Sequence, residues 1–184
     1  MLDCKAAARL PESLPFFRNG RSLVAKRVVV GEIEVAGGQL KIADALCGDA
    51  AAPIPLRIPN GRHAVYAYEW DHPRGPIKVC AVLAFSKQRL ATARPLTITN
   101  ETRPDLTSGI IVDSAEVRIG GASHIVLTSG LGDGYYPVFG VFNFAFFTQA
   151  VVLDFRMDHA PRFILLPGQV LDEFGIVQHL NQDS

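Results

Sequence analysis

The sequence predicts an all-β fold, or a β-rich α+β one: a sandwich of mainly antiparallel strands closed by a short C-terminal helix. Three observations lead there. Roughly ten short runs rich in β-branched and aromatic residues recur along the chain, with turn signals about every eight to twelve residues. Glycine pairs and Asn-Gly pairs separate several of these runs, and such pairs tolerate the positive φ that tight turns demand. Strand and helix patterns do not alternate as they would around a parallel sheet.

At 184 residues the chain can bury one substantial core, and one domain over residues 1–184 is expected. Hydrophobic residues make up 48% and charged residues 20%, a balance that excludes intrinsic disorder. Eighteen basic and eighteen acidic side chains cancel. No net field then favours nucleic acid or an anionic membrane, so neither is expected as a partner. Cys4, Cys47 and Cys80 are widely spaced, with none of the close pairing of zinc or redox motifs. Thiols of this kind fit a reducing compartment. The first residues, MLDCKAAARLPESLPFF, lack the apolar core of a secretory signal, so a bacterial cytoplasmic protein is expected. The apolar run from Val138 to Phe155 is long enough for a membrane span. It carries Gly140, Asn143, Thr148 and Gln149, however, and reads better as two buried strands.

Residues 1–20 read as an N-terminal arm, with a helical turn over Lys5 to Leu10 stopped by Pro11 and a loop at Asn19-Gly20. Val28 to Val35 alternates as a strand. Gly37-Gly38 then predicts a hairpin whose return strand is Gln39 to Asp44. Leu56 to Ile58, flanked by prolines, predicts a short edge strand. After the Asn60-Gly61 turn, His63 to Trp70 places Val65, Ala67 and Glu69 on one face and Tyr66, Tyr68 and Trp70 on the other. A turn over residues 71–76 leads to a strand from Ile77 to Phe85. Ser86 to Ala93 reads as a short helix or an irregular crossing, and Leu96 to Thr99 as a strand. Strands follow at Gly109 to Asp113, Ala115 to Ile119 and His124 to Thr128, the last two joined at Gly120-Gly121. Tyr136 to Phe142 and Ala150 to Phe155 predict a core hairpin, and Arg162 to Leu166 a further strand. Val170, Leu171, Phe174, Val177 and Leu180 have helical spacing, which predicts the C-terminal helix and tail over residues 168–184.

Several of these segments resemble a bacterial family. Gly132-Asp133-Gly134-Tyr135-Tyr136-Pro137-Val138, followed by Val152-Leu153-Asp154-Phe155, is similar to that family's G-D-G-x-Y-P-V and V-x-D-F signature. Weaker likenesses precede it, in order, at residues 35–44, at Ile58 to Arg62 with Val65, and at Gly109 to Ser114. The family is the one catalogued as domain of unknown function 4241. The resemblance implies a bacterial single-domain protein and no particular activity. The turn Asn143-Phe144-Ala145-Phe146-Phe147-Thr148 departs from the polar turn usual in the family.

The candidate binding residues are Asp44, Asp113, Asp133, Tyr135, Tyr136 and Asp154. Asp133 lies between two glycines, where its carboxylate could face a ligand or fold back in an Asx turn. Asp44, Asp113 and Asp154 close strands. If they converge on Asp133, they could hold a hard cation or supply acid–base groups. Their alternative role is strand-end capping. Trp70, Tyr66 and Tyr68 share a strand face that could stack a sugar, or could be core. No histidine pair or G-x-S-x-G segment supplies a catalytic set, so no catalytic residue, metal or cofactor is assigned. Phe144, Phe146 and Phe147 crowd one turn, and an exposed cluster of rings marks a contact with a protein partner or a second copy. A non-catalytic protein-binding module, with an immunity-type role as one concrete version, is therefore the first expectation. A hydrolase using Asp113, Asp133 and Asp154, with or without a divalent cation, is the second, and a carbohydrate-binding sandwich the third.

Overall fold

The structure is a computed structural model that describes residues 10, 12–19, 21–85, 92–95, 109–129, 132–142, 148–155, 169–171 and 177–179. Among these the chain is built of strands, with one 3₁₀ turn at Ala45–Ala50 and no α-helix. The strands are β1 (Ser13–Arg18), β2 (Arg21–Val35), β3 (Lys41–Asp44), β4 (Gly61–His72), β5 (Gly75–Ala84), β6 (Thr92–Pro95) and β7 (Gly109–Val112). They continue with β8 (Glu116–Gly120), β9 (His124–Thr128), β10 (Gly134–Phe142), β11 (Thr148–Asp154), β12 (Gln169–Leu171) and β13 (Val177–His179).

A large antiparallel sheet runs in the order β1-β2-β4-β5-β11-β10-β6, with β7 pairing the first residues of β10. A second, three-stranded sheet has the order β3-β8-β9. The predicted sandwich is thus what forms. Val65, Leu83 and Val151 stand in one transverse row of the large sheet, and Ala67, Ala81 and Leu153 in the next. All six are buried, as are Val117, Ile119 and Leu127 of the small sheet. Strand β9 crosses over β2, so that a side chain at Gly31 would meet Ile125. The Gly121 to Ser123 turn locks the seam: the amides of Ala122 and Ser123 donate to the Glu34 carbonyl, and the Ser123 hydroxyl accepts from the Glu34 amide. At Gly121 a Cβ would lie 2.7 Å from the Glu34 carbonyl oxygen, so that position admits only glycine without displacement.

The opposite face of the large sheet is buried as well. Tyr66, Val82 and Val152 form one row there, and Tyr68, Cys80 and Asp154 the next. Burial on both faces explains the near-continuous apolar runs at Val79 to Ala84 and Ala150 to Leu153, which lack strict alternation.

Five expectations need correction. The arm is ordered from Ser13 as β1, which pairs with β2 through six residues; Pro15 is tolerated because β1 ends the sheet order. Gly37-Gly38 (φ 67° and 70°) does not close a hairpin. It carries the chain from one sheet to the other, where β3 pairs with β8. Leu56 to Ile58 is no strand: the Ile58 amide is tied to the Gly38 carbonyl instead. Among the described residues the C-terminal helix is replaced by strands, since β12 and β13 pair antiparallel across its span. Gly175 would cost a helix interior about 1 kcal/mol, while Val170 and Val177 favour strands. Of the helix or crossing expected over Ser86 to Ala93, Thr92 and Ala93 instead open β6, which pairs with β10; residues 86–91, the helical turn expected over residues 5–9, and the strands expected at 96–99 and 162–166 lie outside the described residues.

Candidate functional site

Two places gather charge. The first is the corner that the aspartates define. Along β3, Ile42 and Asp44 alternate inward, so the Asp44 side chain enters the sandwich and is only 4% exposed. One carboxylate oxygen accepts the Leu46 amide at 2.7 Å, which starts the 3₁₀ turn. The other accepts the amides of Asp113 and Ser114, the latter at 2.8 Å. Burial alone would raise the Asp44 pKa. The amides of Leu46, Ser114 and Asp113, together with the Ser114 hydroxyl, outweigh that and hold it below its ordinary value. Asp44 therefore bolts β3 to the end of β7.

Asp113 and Asp133 flank the last pair of the β7–β10 ladder, Val112 with Gly134. They stand at one strand end, and both are exposed. The turn that carries Asp133 is held from beneath. The hydroxyls of Ser129 and Tyr136 both donate to the Gly132 carbonyl, that of Tyr136 at 2.7 Å. Gly132 and Gly134 take φ values of 113° and 155°, which a side chain would resist. Tyr136 is buried edge-on against Phe155. Burial raises its pKa, the Asp133 charge adds to this, and the Ser129 hydroxyl opposes it. Tyr135 is half-buried and its ring lies over Gly109. Tyr136 is thus part of the frame of the turn.

Asp154 does not join this corner. It is buried in the row Arg27–Tyr68–Cys80–Asp154, which crosses β2, β4, β5 and β11. Burial, reinforced by Cys80 and opposed by Arg27, pushes the Tyr68 hydroxyl well up. Among the described residues no group of three or more His, Cys, Asp and Glu side chains could hold a metal ion. Tyr66 and Tyr68 are core residues, so the exposed aromatic platform that a carbohydrate-binding surface needs is not formed. Phe144, Phe146 and Phe147 lie outside the described residues.

The second place escaped the sequence reading. At one end of the large sheet, the β1–β2 turn faces the β4–β5 turn across a hollow of about 910 Å³. Arg18, Asn19 and Arg21 line it from one turn, and His72 and Arg74 from the other. Its remaining walls are Trp70, Leu23, Ile77, Gly75 and Pro76. Among the described residues no acidic side chain lines it. Trp70 is fixed edge-on by Phe16 at 5.7 Å and by His72 at 4.8 Å, and the Arg18 guanidinium stands 5.9 Å from its ring centre. The Arg74 amide donates to His72 Nδ1 at 3.2 Å. In that arrangement the Nε2 nitrogen carries the imidazole proton. The turn itself follows from local sequence: Gly75 supplies a φ of 115° and Asn19 one of 49°. The only available signals were an Asn-Gly pair beside Arg18 and Arg21, and an Arg-Gly pair beside Trp70. Nothing in the chain order relates them.

No family model, no curated protein and no solved structure matches this chain. Among the described residues no helix is long and apolar enough to cross a membrane.

Proposed function

We propose that the protein is a non-catalytic binding module that engages an acidic surface of another protein. An immunity-type role, neutralising a toxin in the bacterial cytoplasm, is its concrete form. One observation carries this reading: three arginines and a histidine line one hollow together with a tryptophan, and no acidic side chain is among its described lining residues. The chain as a whole is neutral, so this basic concentration is a local feature. Arginine and tryptophan are also the side chains that dominate the energetics of protein interfaces.

The test uses the intact protein and an Arg21→Glu/Arg74→Glu variant as baits for proteins of the encoding bacterium. Retained proteins are identified, purified and titrated against both baits by calorimetry. A partner that binds the wild type at least about tenfold more tightly supports the reading. Partners that bind both baits equally, or none at all, overturn it.

A second reading is a hydrolase. Its support is the adjacency of Asp113 and Asp133 at the exposed end of the β7–β10 ladder. Hydrolysis of an ester or phosphoester panel, lost in Asp113→Asn and Asp133→Asn, would favour it.

A further inference from the structure

The hollow has more structure than a basic patch requires. Its cations come from two separate turns, while its floor is apolar: Trp70, Leu23, Ile77 and Pro76. Trp70, Leu23 and Ile77 share one face of the sheet, while Pro76, paired with Asp71, stands one residue out of step at the rim. Leu23 and Arg21 alternate along β2 with the buried Ala25, and Trp70 and His72 alternate along β4 with the buried Tyr68. The hollow is therefore the open end of the buried face of the large sheet. The apolar layer continues from the core, through Phe16 and Trp70, to the point where the arginines begin.

A volume of about 910 Å³ exceeds what one carboxylate or phosphate fills, and it falls in the range of sites for small organic ligands. Charge alone would not call for an aromatic floor, and an apolar ligand would not call for three guanidinium groups. The combination fits a molecule, or part of one, with both characters. We infer that the hollow is a binding site for an organic anion: a carboxylate or phosphate gripped between Arg21 and Arg74, with a flat or apolar body laid against Trp70. Arg18 is held at the Trp70 ring and closes one side. The guanidinium fork matches either anion through paired N–H donors. His72 contributes an Nε2–H donor while its Nδ1 accepts the Arg74 amide. The anion has two possible sources, an acidic segment of a protein partner or a free small molecule. In the first case the inference rests on the binding-module reading, and in the second it stands apart from it.

Trp70 is the chain's single tryptophan, so its selectively excited fluorescence reports on this floor alone. Phenyl phosphate, inorganic phosphate, benzyl alcohol, adenosine monophosphate and a tryptophan-free peptide of alternating Phe and Glu are titrated separately. Phenyl phosphate should change the emission with about tenfold tighter binding than inorganic phosphate, since only it covers the floor. Benzyl alcohol, which lacks the charge, should bind more weakly than phenyl phosphate by a similar factor. Arg21→Gln/Arg74→Gln should lose these differences while its far-ultraviolet circular dichroism stays that of the wild type. Tighter binding of the peptide than of adenosine monophosphate assigns the site to a protein partner, and the reverse order assigns it to a free small anion. The inference is overturned if no anionic probe changes the Trp70 emission, or if the double variant responds as the wild type does. Anion binding at Trp70 without any charge-dependent protein partner would leave the site standing and remove the binding-module reading. Such a partner without a Trp70 response would do the opposite.

Discussion

Asp44 and Arg21 both stand at the end of a strand, and they spend their charge in opposite directions. Asp44 points into the sandwich, and its carboxylate accepts three backbone amides from two different loops. Arg21 points outward over a hollow whose described lining residues include two further arginines and no acid. A buried charge persists only when local donors replace its water, so the satisfied Asp44 belongs to the frame. Like charges gathered around an apolar floor repel one another and gain most from an incoming anion. Acids at strand ends are thus poor guides to function here, and cations at turns are better ones.

The sharpest way to break this comparison is Asp44→Ala. It leaves the amides of Leu46, Asp113 and Ser114 without their acceptor, and unfolding by guanidinium should show a loss of about 3 kcal/mol. Asp44→Asn keeps one acceptor oxygen and should lose less. The pH dependence has a definite sign. The folded pKa lies below its ordinary value of 3.8, so the stabilisation is fully present above the unfolded pKa. It disappears as the pH falls from there through the folded value. The stability gap between wild type and Asp44→Asn should be flat near neutrality and close only in that acid window. A gap that persists unchanged in acid would mean that the charge of Asp44 is not what holds the corner.

Next in size is Gly121→Ala. Its new methyl group would meet the Glu34 carbonyl oxygen at 2.7 Å, with backbone on both sides, and a cost of about 1–3 kcal/mol is expected. The change acts on the seam between the sheets. Trp70 emission, which reports on the far end of the large sheet, should stay as in the wild type below the unfolding transition.

What the sequence disclosed depended on how local the cause was. Hairpins with their turn residues between paired strands were readable: β4–β5, β8–β9 and β10–β11 all form close to their expected bounds. Gly37-Gly38 carries the same local signal as a hairpin, yet its outgoing strand pairs with β8, about eighty residues on. Positive φ permits a reversal without deciding which strand receives the chain. The helical spacing at 170–180 failed for a related reason, since short apolar runs fit both periods. At the candidate sites, the strand-end positions of Asp44 and Asp113 were legible, but the bonds of Asp44 to residues 69 and 70 positions away were not. The hollow was least legible of all. Arg21 and Arg74 line one hollow because β1, β2, β4 and β5 are neighbours in one sheet, and no motif encodes a neighbour relation.

A smaller effect on stability separates the hollow from the frame. The Arg21→Glu/Arg74→Glu variant should unfold within about 0.5 kcal/mol of the wild type, because both side chains are exposed. A loss of several kcal/mol would place the arginines in the frame beside Asp44 and erase the contrast.

The smallest effect is expected at Asp133, the residue that the sequence makes most conspicuous. Its turn owes its shape to glycine conformations on either side and to the two hydroxyls on the Gly132 carbonyl. The carboxylate itself is exposed. Asp133→Asn keeps size and hydrogen-bonding reach while removing charge, so stability should move by less than about 0.5 kcal/mol. One change should nevertheless be measurable. The Asp133 charge is among the causes that raise the Tyr136 pKa, so in the variant the phenol should ionise at lower pH than in the wild type, as followed by its ultraviolet absorbance. If Asp133→Asn instead destabilises the protein as Asp44→Ala does, the carboxylate is a structural clamp of the Asp44 kind. If it leaves stability intact and abolishes a hydrolytic activity, the conspicuous acid is the functional one, and the arginine hollow loses its priority.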